Sequence, residues 1–182
     1  MKFIFLIFSL LMTSNVFALK MADKELKDSL TMQGKELVLN GAGIRKATIF
    51  NVKVYVAGLY TKSKSNDPKK ILDSTDPKYI IMHFLRDVDK DKISGAWSEA
   101  FENNKDYNKD YKASLNQLNA LMKDMKKSDT MAFYFDQNKV KVTIKNQDLG
   151  EISGKNIDKL LLAAWLGNPI DEQLKDGLLG KK

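Results

Sequence analysis

The sequence has no cysteine and a single histidine. Without cysteine there is no disulfide framework, no thiol nucleophile and no site for a lipoprotein anchor, so the domain must be held by its core alone. One histidine, His83, excludes a multi-histidine metal centre, and no serine lies in an elbow context that could build a Ser-His-Asp triad around it. His83 alternates with Tyr79, Ile81 and Leu85, the pattern of a packed histidine rather than a ligand. Gly41-Ala42-Gly43 lacks the third glycine of a dinucleotide fingerprint and lies between strand-like segments, with no helix behind it to hold a phosphate. The chain also lacks a basic stripe interleaved with aromatics. Its net charge of +7 is spread as scattered lysines, a solvated face that speaks against nucleic acid and leaves an anionic membrane surface as a weak partner.

What is present begins with the N-terminus, "MKFIFLIFSLLMTSNVFALK". Lys2 precedes an apolar run from Phe3 to Met12, and Val16-Phe17-Ala18 supplies a signal-peptidase site after Ala18. That run is too short to cross a bilayer, which takes ~20 residues. Residues 1–18 are therefore expected to be a cleaved signal peptide and residues 19–182 one mature domain, a soluble periplasmic or secreted monomer. Losing Lys2 lowers the charge from +7 to +6.

Residues 22–30 are mixed polar and fit either a short helix or an extended lead-in. Leu37-Val38-Leu39 predicts a strand that turns at Asn40-Gly41, with a second strand from Ile44 to Phe50. "VKVYVAGLYTK" is the best strand pattern: Val52, Val54, Val56 and Tyr60 share one face, and Tyr55, Ala57 and Leu59 the other, so both faces are covered. Pro68 opens a short helix to Ser74, and Lys78 to Arg86 is a second central strand. Asp87 to Asp91 caps a helix with the stripe Ile93, Ala96, Trp97, Ala100 and Phe101. A second helix follows with Leu115, Leu118, Leu121, Met122 and Met125. A hairpin turns at Gln137-Asn138, and "QDLGEIS" lies close behind. A helix from Asn156 to Leu166 and a closing helix from Ile170 to Leu179 end the chain. The clustering of strands and helices, with no repeat or linker, gives an α+β class: a mostly antiparallel sheet with helices on one side.

Arg45 and Tyr55 are the polar residues that this pattern does not absorb. A guanidinium is rarely buried without a partner, and a buried phenol seeks one. Either Arg45 lies in solvent at a hairpin edge with Tyr55 bonded to backbone, or both stand at the polar end of an apolar cavity and can hold a carboxylate or other oxyanion. Trp97 and Trp165 lie on apolar stripes where they serve as core or as the roof of such a cavity.

The segments "LNGAGIRK", "VKVYVAGLY", "FLRDVDKDKISGAWSEAFENN" and "LAAWLGNPIDEQLKDGLLG", in this order over residues 32–180, resemble the bacterial chalcone isomerase-like family, relatives of plant chalcone isomerases and of fatty-acid-binding proteins of the same fold. The resemblance implies an open-faced β-sandwich. In the isomerases, an arginine of the glycine motif, a strand threonine, a tyrosine and an asparagine on the central helices, and a late threonine or serine support ring closure. Here the arginine corresponds to Arg45, but Tyr55 stands at the strand threonine, Ala164 at the late one, and the helix pair finds no match between Ile93 and Asn104. Losing such donors removes much of a rate advantage, since one can be worth ~2.7–4 kcal/mol. The binding relatives hold a ligand carboxylate with an arginine and a tyrosine from these two segments, which implies the same of Arg45 and Tyr55. The expectation is an exported, non-catalytic protein that binds a small apolar carboxylate such as a fatty acid without cofactor or metal. Trp97, Phe101 and Trp165 are the expected walls. The alternatives are an isomerase acting as an intramolecular lyase, with Tyr55 as acid, and an envelope interaction scaffold.

Overall fold

The computed structural model describes residues 18–47, 50–104, 111–169 and 171–181. The leader expected over residues 1–18 lies outside them except for Ala18. Strands β1 (Ala18–Met21) and β2 (Lys24–Lys27) form a separate hairpin. Seven strands then build one sheet in chain order: β3 (Ser29–Met32), β4 (Lys35–Ala47), β5 (Val52–Thr61), β6 (Lys78–Phe84), β7 (Thr130–Asp136), β8 (Lys139–Ile144) and β9 (Gln147–Ser153), each antiparallel to its neighbours. Helices α1 (Pro68–Asp73), α2 (Lys90–Glu102), α3 (Lys112–Leu121), α4 (Ile157–Leu166) and α5 (Glu172–Leu178) complete the α+β fold.

Residues 22–30, open between helix and extended chain in the sequence, are extended and hairpin-forming. Four two-residue turns, at Ala22-Asp23, Gln33-Gly34, Gln137-Asn138 and Lys145-Asn146, have positive φ at both positions. That geometry matches the twist of the strands it joins.

The expected turn at Asn40-Gly41 does not exist. β4 runs straight through it, with a bulge between Leu39 and Gly41. Leu37 and Leu39 before the bulge, and Ala42 and Ile44 after it, all face the β1–β2 side, where Leu26 packs over Gly58. The extra residue shifts the alternation, so Gly41, Gly43 and Arg45 face the helices. The glycines serve close packing: a Cβ on Gly41 would lie 2.3 Å from the Gly177 carbonyl oxygen, and one on Gly177 would lie 2.5 Å from that of Ala42. α5 therefore lies directly on the backbone of β4. Buried Asn40, at the bulge, donates to the Leu178 carbonyl at 2.7 Å and accepts from the Ser65 amide at 2.7 Å.

The opposite, larger core lies between the sheet and the helices. Ile80, Met82 and Phe84 from β6 and Met131, Phe133 and Phe135 from β7 meet Trp97 and Phe101 of α2 and Leu161 and Trp165 of α4. The acids before α2 differ from their expected capping role. Asp89 makes no side-chain cap, the Lys90 amide donates to Asp124 at 2.8 Å, and Asp87 accepts from the Lys127 amide and Lys126 Nζ at 2.9 and 3.0 Å. Met122 and Met125 are buried, as their apolar character demands, but lie beyond the end of α3.

Candidate functional site

Arg45 stands directly opposite Tyr55 across β4 and β5, and Tyr55 directly opposite Phe84 across β5 and β6. One ladder row thus carries a cation, a phenol and a phenyl ring, with Tyr55 and Phe84 packed into the helix-side core and their rings 5.8 Å apart. Over this row, between β4–β6 and helices α2, α4 and the start of α5, lies a cavity of about 420 Å³. Its walls include Met82, Phe84, Ile93, Trp97, Trp165 and Leu174, and its rim holds Arg45, Arg86, Lys92 and Asp171. Such a volume, mostly apolar with a few polar groups at one edge, is the common form of a small-molecule site. A furrow of about 470 Å³ along Lys35, Glu36, Lys62 and Asp76 is a surface feature without aromatic walls.

Arg45 is not a free cation. Its Nη1 donates to Asp171 Oδ2 at 3.2 Å and to the Lys46 carbonyl, and the same Asp171 oxygen accepts from the Lys46 amide at 3.0 Å. Asp171 Oδ1 accepts from the Leu174 amide at 3.0 Å, so this carboxylate is also the N-cap of α5. Among the described residues, Nε and Nη2 of Arg45 have no protein acceptor, which leaves that edge of the planar guanidinium for a ligand oxyanion. Asp171 is the site residue that sequence reasoning passed over. Its signal was the aspartate in "NPIDEQ" preceding a helix, readable as a cap but not as a partner of a residue so distant in the chain.

The Tyr55 phenol is pushed up from its ordinary 10.0 to about 12, first by burial and then by the Asp171 charge, against the opposing pull of the neighbouring Trp165 indole and of the Arg45 charge. It is a neutral donor throughout the physiological range and a poor base. Trp165 meets Trp97 edge to face, with centroids 5.3 Å apart, and the Trp97 indole donates to Met122 Sδ at 3.2 Å. The Trp97 N–H is thereby engaged within the protein, and both rings line the cavity. Phe101, expected as a wall, is 1 % exposed in the core and does not line the cavity. Ala164 does line it, with only a methyl group.

Among the described residues, no cluster of three or more His, Asp or Glu side chains could hold a metal ion, and no helix is long and apolar enough to cross a membrane.

A family model described as chalcone isomerase-like matches residues 18–180. Among solved structures, a fatty-acid-binding protein of Arabidopsis thaliana superposes with a TM-score of 0.68 at 13% identity, over 90% of this chain and 96% of its own. This similarity is one of fold. No curated protein sequence matches the chain.

Proposed function

The chain belongs to the chalcone isomerase-like family, and from that premise we propose that it binds a small apolar carboxylate, such as a fatty acid, without converting it. The observation that carries the reading is the unengaged edge of Arg45 at the rim of an apolar cavity, one ladder position from a neutral phenol. The acyl chain lies against Trp97, Trp165, Met82 and Ile93, and the carboxylate meets Arg45 with Tyr55 beside it as a second donor. The fatty-acid binding of the Arabidopsis protein of the same fold supports the choice of ligand.

Two features speak for binding without turnover. Tyr55 holds its proton far above neutral pH, so it is a weak acid and a weaker base at the site. Where the isomerases carry a late hydroxyl, the cavity presents Ala164, which can orient no nucleophile. We further propose that the protein acts outside the cytoplasm, because the charged, apolar and small-residue segments of residues 1–18 have the order of an export signal.

Titration calorimetry with decanoate and longer fatty acids tests the reading. Wild-type protein is expected to bind, and Arg45→Ala to bind more weakly by about 1.5–3 kcal/mol, the scale of a hydrogen bond to a charged group. Equal affinity in the two proteins, with both folded, removes Arg45 as the anchor.

A further inference from the structure

The chain has two arginines among its 30 basic residues. Both line the same cavity. Arg86 follows β6 two residues after Phe84, the residue that shares a row with Tyr55 and Arg45. Arg86 therefore lies just past the end of β6, two strands across the sheet from Arg45. Tyr55, Phe84, Trp97 and Trp165 line the same cavity. The cavity therefore combines two guanidinium groups with an apolar, aromatic lining.

The acids that could neutralise Arg86 are engaged elsewhere. Asp87 is held by Lys126 and the Lys127 amide, and Asp89 by Lys92. Among the described residues Arg86 has no ion-pair partner. Lys92, which also lines the cavity, pairs with Asp89 just before its helix. A monocarboxylate satisfies Arg45 and leaves this second cationic edge against water or against the apolar end of its own chain.

We infer that the cavity is built for a two-headed acid, an apolar chain or ring system with an acidic group at each end, one held by Arg45 and the other by Arg86. This rests on the proposal that the cavity binds carboxylates at Arg45. The planar fork of arginine suits bidentate capture of a carboxylate at either end, which the compact lysine ammonium does not reproduce.

Calorimetry with decanoate, decanedioate and the monomethyl ester of decanedioate separates the two claims. The ester keeps the length of the diacid and removes one charge. Wild-type protein is expected to prefer the diacid over the ester by about fivefold to tenfold, between the scale of an exposed ion pair and that of a desolvated one. Arg86→Gln, an exposed position whose replacement does not threaten folding, brings that ratio to about one. Arg45→Ala weakens diacid and ester alike. A wild-type ratio near one, or a preference that survives in Arg86→Gln, overturns the two-headed ligand while decanoate binding keeps the first proposal intact. If none of the three acids binds, both proposals fall.

Discussion

Under the proposed binding, Arg45 is contested between two carboxylates, Asp171 and the ligand, and that contest sets the affinity of the site. Asp171 holds one edge of the guanidinium while capping α5, so the proposed ligand would share the cation with an acid already in place. Asp171→Asn keeps a side-chain oxygen for the Leu174 amide but removes the competing charge. It is expected to tighten decanoate binding several-fold at low salt, with the gain shrinking as salt is added. Looser binding in the variant would mean that Asp171 chiefly orients Arg45. Tyr55 makes a second, independent prediction. Its phenol ionises near 10.0 in the unfolded chain and near 12 in the folded one, so the unfolded state loses its proton first as pH rises. The stability that neutral Tyr55 contributes is complete below pH 10 and is lost between about pH 10 and 12. Tyr60, raised to about 12 on the other sheet face, adds to the same loss. Chemical denaturation across this range should show Tyr55→Phe less sensitive to alkali than wild type, and identical slopes would contradict the burial of the phenol. At this scale the sequence was informative about Arg45 and Tyr55, whose opposition follows from neighbouring strands. It was silent about Asp171, because its meeting with Arg45 depends on how α5 docks.

The glycines of β4 show what periodicity can and cannot reveal about an element. Asn40-Gly41 and Gly43 carry the composition of a turn, yet they lie in a continuous strand because α5 needs backbone without side chains beneath it. A bulge and a helix contact leave the same composition as a hairpin, and only tertiary structure separates them. Gly41→Ala would place a methyl against the backbone of Gly177, Leu178 and Gly180 and is expected to cost about 2–3 kcal/mol or to lift α5 off the sheet. Gly95 is the converse case, in the interior of α2 with open space where its Cβ would go. Gly95→Ala is expected to stabilise by about 0.5–1 kcal/mol, as an entropy gain in a helix. Urea midpoints that move in opposite directions for the two variants would support both assignments. A harmless Gly41→Ala would contradict the close contact. β5, β6, α2 and α4 were legible because their apolar patterns are long. The turns at Ala22-Asp23 and Lys145-Asn146 were not, since residues with a Cβ seldom take positive φ.

The whole molecule is a sheet with two unequal faces. The β1–β2 hairpin covers part of one, and the helices cover the other while leaving a cavity at the end where β4, β5 and β6 share the Arg45 row. The α+β class and the helix-covered face followed from the order of patterns, whereas the hairpin cover did not, because residues 22–30 are too polar to declare a period. The most direct measurement of the binding claim is native mass spectrometry of the protein purified from the cells that make it, followed by denaturing extraction. The account predicts a complex heavier than the chain by the mass of an apolar acid, which is released on denaturation and diminished in Arg45→Ala. A protein that stays at its bare mass after purification, and again after incubation with decanoate, decanedioate and longer fatty acids, would contradict it.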